Sequence, residues 1–153
     1  AGSPVAGQLK ELIAADQSFD PKEFVGGARA AYEMIVLAFA RGDRKALKDL
    51  LSKDVFEGFS SAIAQREQRG EKSEATFVSL DKADVAEAAL RGRMMNVTMR
   101  FVSKIINVTR DASGKVVDGS PDAIVDVVDI WTFAREAGSR DPNWRLVSTE
   151  SGQ

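Results

Sequence analysis

Hydrophobic residues in the first half of the chain recur every three or four positions, which is the spacing of one face of an α-helix. The longest such stretch predicts a helix from residue 21 to residue 41. Its apolar stripe comprises Phe24, Ala28, Ala31, Tyr32, Ile35, Ala38 and Phe39. The same spacing predicts shorter helices over 43–51 and 53–69 and a short amphipathic helix over 8–15. The first half of the chain is therefore helical, and its short links make the helices fold back on one another.

Local signals mark where the longest helix begins. Asp20 is placed to cap its first free amides, and Pro21 suits the first helical position. Phe19 and Phe24 have the spacing of a hydrophobic staple across that cap. Inside the helix, each glycine of the pair Gly26-Gly27 costs about 1 kcal/mol relative to Ala. Close packing against another backbone explains this pair better than contact with a ligand, so we expect a tight helix contact there.

After Lys72 the hydrophobic pattern changes to alternation, which is the spacing of a half-buried strand. Strands are predicted near 75–90, 95–110, 122–136 and 143–150. A change of phase near Val102 indicates a bulge, and turns are predicted at 110–115 and 119–121. Consecutive hairpins make the sheet antiparallel. The pattern therefore predicts an α+β fold in which the helices cover one face of a four-stranded sheet.

The composition fits a single globular domain and narrows its chemistry. The chain has 153 residues, of which 44% are hydrophobic, enough for one core. Lys and Arg together number 21 and Asp and Glu 23, so no broad positive field favours nucleic acid. The absence of Cys and His removes disulfides, thiolate metal sites and the side chain most often used as a general base. We therefore expect no metal site, no cofactor and no nucleic-acid partner.

One carboxylate occupies a strand position where a hydrophobic side chain is expected. Alternation places Asp129 on the same face as Val127 and Trp131, and a carboxylate in such surroundings is costly unless it is paired. Asp129 is therefore either half of a structural ion pair or a base of raised pKa in a pocket, as in ketosteroid-isomerase-type folds. We favour the ion pair because no second catalytic residue accompanies Asp129. The arginines available for that pair are Arg93, Arg100 and Arg145.

The ends of the chain bear on its organisation. No apolar run approaches the roughly 18–20 residues that span a bilayer. The chain starts Ala1-Gly2-Ser3-Pro4, without Met and without a signal-peptide pattern, so we expect a preceding segment that would contain any membrane anchor. We divide the chain into an N-terminal segment, residues 1–18, which carries the short amphipathic helix, and one α+β domain, residues 19–153.

Several short motifs in a fixed order resemble a known family. In the helical half they are Phe24-Val25-Gly26-Gly27-Ala28, Ala40-Arg41-Gly42-Asp43 and the stretch from Leu47 to Leu51. In the sheet half they are Arg110-Asp111, Val117-Asp118-Gly119, the stretch from Asp129 to Arg135 and that from Pro142 to Leu146. Together they resemble the domain of mitochondrial import inner-membrane translocase subunit 44, the Tim-44-like family. The resemblance covers about residues 10 to 150 and is greatest to bacterial members.

The resemblance implies a fold of the cystatin-like or nuclear-transport-factor-2-like type. In this fold, helices pack on a curved four-stranded antiparallel sheet that encloses an apolar pocket. The residues expected to line the pocket are Tyr32, Phe39, Met99, Phe101, Asp129, Trp131 and Phe133. Bacterial members carry an N-terminal hydrophobic anchor ahead of this domain, which implies a location at the inner membrane.

The resemblance also implies contact with a membrane. Mitochondrial members associate peripherally with the inner membrane and favour cardiolipin, and this contact is ascribed to the first helices of the domain. The corresponding residues here are Leu9, Lys10, Leu12, Ile13, Phe19, Lys22, Phe24 and Arg29. Mitochondrial members also tether a chaperone motor to the import channel, which implies a protein partner at the membrane beside lipid.

The residues and the resemblance together predict a non-enzymatic, membrane-associated scaffold domain. It would serve inner-membrane protein transport by binding lipid, a protein partner or both. Two alternatives stay open. One is a small-molecule enzyme of the ketosteroid-isomerase-like fold that uses Asp129 or Asp126 as a base in the pocket. The other is a protein-interaction domain that never contacts lipid.

Overall fold

The fold is given by a computed structural model that describes residues 4–152. Within that range, helices precede strands along the chain. The helices are α1 (Pro4–Ala15), α2 (Pro21–Arg41), α3 (Arg44–Lys48) and α4 (Lys53–Gln68). The strands are β1 (Lys72–Arg91), β2 (Met94–Arg110), β3 (Val116–Glu136) and β4 (Arg145–Ser151). The predicted change from helix to strand at Lys72 is confirmed, whereas α1 begins earlier than the periodicity indicates.

The helix boundaries follow from their capping residues. The Asp20 side chain accepts a hydrogen bond of 2.9 Å from the Lys22 amide at the start of α2, and Gly42 ends that helix in the left-handed conformation. At the starts of α3 and α4, the side chains of Asp43 and Ser52 accept hydrogen bonds from the backbone amides of Ala46 and Val55. Short-range signals in the sequence therefore suffice to place these three helix starts.

The strands pair into one antiparallel sheet in the order β1-β2-β3-β4 within the described range, as consecutive hairpins require. The pairing of β1 with β2 is irregular after Phe77, after Leu80 and after Val85. At each of these places β1 contains one residue more than β2, which bends the strand and increases its twist. The sheet is therefore curved, and the α+β fold class predicted from the sequence is confirmed.

The turn predicted at residues 119–121 is wrong. These residues lie inside β3, where the pairing with β2 jumps from Gly119 to Ile124. The residues between them bulge out, and Gly119 has φ +71°, a conformation that residues with a side chain rarely adopt. Gly and Pro here mark a bulge within a strand, which local sequence does not distinguish from a hairpin turn.

The change of phase predicted near Val102 is misplaced as well. Alternate residues of β2 stay buried through Ser103 and Ile105, and the irregularity in the pairing with β3 occurs at Asn107. Ser103 is completely buried although its side chain is polar. The hydrophobic pattern therefore loses its signal at that position and indicates the bulge too early.

The core lies between the helices and one face of the sheet. Alternate side chains of β2 from Met95 to Phe101 are completely buried. They belong to one hydrophobic cluster with Trp131 and Phe133 of β3 and Tyr32 of α2. Full burial stabilises the fold by about 1.5–3 kcal/mol for each large apolar side chain. The helices and the inner face of the sheet thus depend on each other for stability.

The link between α3 and α4 joins the helical half to the edge of the sheet. Leu51 forms a short parallel bridge with Leu146 of β4, and the Ser52 amide donates a 2.9 Å hydrogen bond to the Leu146 carbonyl. The Arg145 guanidinium donates to two carbonyls at the end of α3, where a positive charge is favourable. These contacts fix α3 and α4 relative to β4.

A part-buried ion pair holds the linker after α1 on the sheet. Asp16 Oδ2 lies 2.9 Å from Arg135 Nη1 and accepts the Gly138 amide at 2.9 Å. The Asp16 and Arg135 side chains are only 8% and 10% exposed. Hydrogen bonds from the Ser18 hydroxyl, the Gly138 amide and Arg135 hold the pKa of Asp16 well below its ordinary range. This carboxylate therefore connects α1 to the loop between β3 and β4.

The glycine pair of α2 does not lie at a tight helix contact, contrary to expectation. Gly26 and Gly27 are both exposed. A Cβ atom added at either position would meet no atom within 4 Å. The described fold therefore supplies no packing reason for the pair.

Replacing Asp16 with Asn should lower the free energy of unfolding at pH 7 by about 1–3 kcal/mol, because Arg135 loses its anionic partner. The pKa of Asp16 is lower in the folded state than in the unfolded chain. The extra stability of the wild type is therefore fully present above the ordinary carboxyl pKa of about 4. It decreases below that pH and is lost as the pH falls through the folded-state pKa. Urea unfolding at pH 7 and pH 3 measures both effects. Asp122→Asn, at an exposed aspartate, is the control. An equal loss at both pH values would contradict the assignment.

Replacing Gly27 with Ala should raise the free energy of unfolding by up to about 1 kcal/mol, because Ala favours the helix and crowds no atom. Gly42→Ala is the matched control and should lower stability. At that position φ is +72° and an added Cβ would lie 3.3 Å from the Ile63 side chain. Urea unfolding of both variants gives the comparison, and a loss of stability in Gly27→Ala would reveal a close contact.

Candidate functional site

Three polar side chains form a hydrogen-bonded chain inside the core. The hydroxyls of Tyr32 and Ser103 lie 2.9 Å apart, and the Tyr32 hydroxyl donates to Asp129 Oδ2 at 2.5 Å. Because tyrosine has one hydroxyl proton, Ser103 donates to Tyr32. Tyr32 and Ser103 are completely buried, whereas Asp129 is half-buried. We call these three residues the Tyr32 network, and it joins α2 to β2 and β3.

Aromatic packing sets the position of Tyr32. Its ring stacks on Phe101 at a centroid distance of 4.4 Å and lies 4.6 Å from the ring of Trp131. The sheet register places Phe101 opposite Asp129 and Met99 opposite Trp131. The residues that hold the ring are therefore direct neighbours of the carboxylate that accepts the hydrogen bond of the Tyr32 hydroxyl.

Burial controls the charge state of the network. It raises the pKa of the Asp129 carboxyl above its ordinary range, and the hydrogen bond from Tyr32 opposes part of that rise. Burial, together with the hydrogen bond to Asp129, raises the pKa of the Tyr32 hydroxyl well above its ordinary value. Tyr32 therefore keeps its proton at neutral pH and acts as a hydrogen-bond donor.

The partner of Asp129 is Tyr32 and not one of the arginines expected from the sequence. Arg93 donates to a backbone carbonyl at 2.7 Å, and Arg145 donates to carbonyls at the end of α3. Arg100 is one position before the residue that pairs with Asp129, so its side chain lies on the other face of the sheet. The two partners are 97 residues apart in the chain. The sequence signal was Tyr32 itself, a lone tyrosine within an apolar helix stripe.

A cavity of about 440 Å³ opens beside the network, and we call it the sheet pocket. It lies between α2, α4 and the inner face of the sheet. Its apolar walls include Ile35, Phe39, Phe59, Val125, Val127 and Trp131. The charged residues that line it are Arg66, Asp118 and Asp129. Through Asp129, the Tyr32 network therefore borders a cavity that opens to solvent.

The residues expected to line a pocket fall into three groups. The sheet pocket is lined by Phe39, Asp129 and Trp131. The completely buried residues are Tyr32, Met99 and Phe101. Phe133 lines a different cavity. Members of both groups meet at Tyr32, whose ring contacts Phe101 and Trp131 and whose hydroxyl bonds to Asp129.

The second cavity, of about 480 Å³, lies between the start of α2 and the loop before β4. We call it the aromatic cleft. The Phe24 ring lies 4.7 Å from Trp144 and 6.0 Å from Phe133. Phe19 lies 6.0 Å from Phe24, which confirms the predicted staple. Gly27, the second residue of the glycine pair, lines one wall of this cleft.

The residues expected to contact lipid divide into a buried and an exposed set. The buried set is Leu12, Phe19 and Phe24, and Leu9 is half-buried. The exposed set is Lys10, Ile13, Lys22 and Arg29. Gln8 Oε1 accepts the Ala88 amide at 3.0 Å, so α1 is docked on β1 and its apolar face completes the core. Among residues 4–152, no helix is both long enough and apolar enough to span a membrane.

The turn between β1 and β2 lies at the same end of the molecule as the end of α1. The Ala137 amide donates to the Arg93 carbonyl at 2.7 Å. The next residue, Gly138, donates to the Asp16 carboxylate. These contacts place the β1–β2 turn, the β3–β4 loop and the end of α1 side by side.

This end of the molecule presents apolar and basic side chains to solvent. Leu90 and Met94 flank the β1–β2 turn and are 38% and 41% exposed. Arg93 lies 3.7 Å from Glu136, whereas Lys10 and Arg91 form no ion pair within residues 4–152. We define the hairpin end by its exposed residues, which are Lys10, Ile13, Leu90, Arg91, Arg93 and Met94. Two residues of the predicted lipid set, Lys10 and Ile13, thus lie on α1, the helix that docks near the last residues of β1 through Gln8 and Ala88.

Comparison with known proteins points to one family. The family model of the Tim44-like domain matches residues 5–151. Mitochondrial import inner membrane translocase subunit TIM44 of Homo sapiens is 24% identical over 142 residues, which cover 91% of this chain and 31% of that protein. An uncharacterized protein of Rickettsia prowazekii is 29% identical over 133 residues, which cover 87% of this chain and 53% of that protein. The chain thus spans about a third of the human relative and about half of the rickettsial one.

A solved structure shares the fold. The intermembrane space region of the chloroplast protein ARC6 matches with a TM-score of 0.51 and 16% sequence identity. The match covers 87% of this chain and 96% of that chain. At this level of identity the likeness shows a common architecture of helices and sheet, and nothing about function.

Replacing Tyr32 with Phe should lower the free energy of unfolding by about 1–3 kcal/mol, because the buried Ser103 hydroxyl and the Asp129 carboxylate both lose their partner. Adding Ser103→Ala should recover part of this loss, since it removes the orphaned donor. Urea unfolding of the wild type, both single variants and the double variant forms the cycle. Strictly additive losses would show that the two hydroxyls do not interact.

Proposed function

The chain belongs to the Tim44-like domain family, and from this we propose that it is a non-catalytic binding domain that serves protein transport at an inner membrane. The observation that carries the proposal is the family match over residues 5–151, nearly the whole chain. The human relative is named as a subunit of a mitochondrial import inner membrane translocase. Since the chain spans 31% of that protein, we propose the role of one domain and not the activity of a whole subunit.

The Tyr32 network favours binding over catalysis. General acid–base catalysis needs titratable groups that reach the substrate in complementary protonation states. Asp129 reaches the sheet pocket, but its partner Tyr32 is completely buried and holds its proton. The other carboxylate considered as a base, Asp126, is bonded to Lys104 at 2.8 Å and does not line the pocket. These features support a structural role for the network.

We place the proposed membrane contact at the hairpin end. Its exposed apolar residues, Ile13, Leu90 and Met94, can enter the boundary between headgroups and acyl chains. The basic side chains of Lys10 and Arg91, which form no ion pair in the described part of the chain, can approach anionic headgroups. Surfaces that combine both features bind anionic bilayers weakly and reversibly. The proposed lipid is therefore anionic, with cardiolipin first among the lipids to test.

Vesicle co-sedimentation tests the membrane contact. The wild type should pellet with cardiolipin-containing vesicles more than with neutral ones, and less at high salt because the charges are screened. Lys10→Glu combined with Arg91→Glu should weaken binding by at least about thirtyfold, since each basic residue near the surface contributes about 1 kcal/mol. Leu90→Ser should weaken binding at both salt concentrations, because apolar burial is not screened.

Matched controls lie at the opposite end of the sheet. Lys72 pairs with Arg110 at the far end of the β1–β2 ladder, and Lys115 lies in the turn that follows β2. Lys72→Glu with Lys115→Glu makes the same change in net charge and should leave binding nearly unchanged. The test uses substitutions because a deletion of α1 would also remove Leu12, which is completely buried. Equal binding to both vesicle types would favour a protein-interaction domain without lipid contact.

A further inference from the structure

Within the described residues, only one of the two oxygens of the Asp129 carboxylate accepts a hydrogen bond. Its Oδ2 accepts the hydrogen bond from Tyr32, and no hydrogen bond to Oδ1 is found among residues 4–152. The residue lines the sheet pocket. A carboxylate oxygen that faces an apolar cavity has lost much of its water and gains most from a cationic hydrogen-bond donor. The open position at Oδ1 therefore determines which polar group the pocket can accept.

The other charged residues of the pocket leave this position open. The Arg66 guanidinium donates to the Phe39 carbonyl at 2.6 Å and lies 4.8 Å from the centre of the Phe39 ring. It is thus engaged at the α2–α4 contact, and the structure shows no ion pair between Arg66 and Asp129 within the described residues. Asp118 is exposed at the rim. One positive and two negative side chains line the cavity, so its charge balance favours a cation.

The apolar walls suit the rest of such a ligand. Phe59 and Trp131 contribute aromatic surface, and Ile35 and Val127 contribute aliphatic surface. Aromatic faces attract an ammonium group in addition to any ion pair that it forms. A volume of about 440 Å³ is within the range of pockets that bind small molecules.

We infer that the sheet pocket binds a small apolar molecule with a single primary ammonium group, which donates to Asp129 Oδ1 while the hydrocarbon part packs on the apolar walls. The Tyr32 network positions the carboxylate for this contact. An anionic head of the same size is repelled by Asp129 and Asp118. A hydroxyl head can donate one hydrogen bond but brings no charge. This site is separate from the hairpin end and does not depend on the proposed membrane contact.

Isothermal titration with octylamine, octanol and octanoate tests the inference, because the three probes share one chain length and differ in their head. Octylamine should bind the wild type at least about tenfold more tightly than the other two. Asp129→Asn keeps the size of the side chain and an acceptor for Tyr32 but removes the charge. It should weaken octylamine binding by about tenfold or more and leave octanol nearly unchanged.

Two further variants serve as controls for charge and for cavity volume. Asp126→Asn, three residues before Asp129 on the other face of the same strand, is the control for charge and should not change octylamine binding. Ala75→Phe fills the cavity without touching Asp129, since Ala75 lines its wall, and should weaken all three probes. Equal affinity for the three probes would overturn the inference, as would equal effects of Asp126→Asn and Asp129→Asn. The assay contains no membrane, so its failure leaves the proposed membrane contact untouched.

Discussion

The burial of the Tyr32 hydroxyl is the constraint around which the rest of the core is arranged. A hydroxyl far from water must be hydrogen-bonded, and this one has Ser103 on β2 and Asp129 on β3 as its partners. Both strands must therefore present the same face to α2 in one register. The Tyr32 ring stacks on Phe101. The apolar packing of the ring and the hydrogen bonding of its hydroxyl therefore require the same arrangement of the strands. A shift of β3 by one residue would turn Asp129 away from α2 and leave Tyr32 without an acceptor.

Two aspartates show how position decides the chemistry of one residue type. Asp16 accepts hydrogen bonds from Ser18, Gly138 and Arg135, which favour its charged form and lower its pKa. Asp129 receives a hydrogen bond from Tyr32 in mostly apolar surroundings, where burial raises its pKa. The first carboxylate ties α1 to a loop. The second has one oxygen without a hydrogen bond among residues 4–152 and lines a cavity, which makes it the more suitable residue for binding a ligand.

The proposed membrane contact and the sheet pocket lie at different ends of the curved sheet. The hairpin end contains the last residues of β1, whereas the pocket reaches Ser73 and Ala75 at its beginning. The pocket residues nearest the hairpin end are Trp131 and Asp129, which pair with Met99 and Phe101. At about 3.3 Å per residue along a strand, they lie roughly 2 nm from Met94. A domain attached by the hairpin end would therefore leave the sheet pocket open to solvent, so both could be occupied at the same time.

Signals that act over a few residues were sufficient for much of this protein. The caps at Asp20, Asp43 and Ser52, the staple of Phe19 and Phe24 and the change of period after Lys72 determined the helix starts and the fold class. Alternation also placed Asp129 on the inner face of the sheet. These features depend on contacts within one helical turn or on the pleat of one strand, and both are present in the local sequence.

Only the tertiary structure decided which distant residues meet. Tyr32 and Asp129 are 97 residues apart. Sequence periodicity places each residue on the buried face of its helix or strand but does not predict which residue it contacts. The bulge at Gly119 shares its Gly and Pro signal with an ordinary turn, and the open space beside Gly27 depends on where other elements end. The docking of α1 likewise depends on Asp16 reaching Arg135 across 119 residues. Such contacts are set by the packing of whole elements, which no window of the sequence contains.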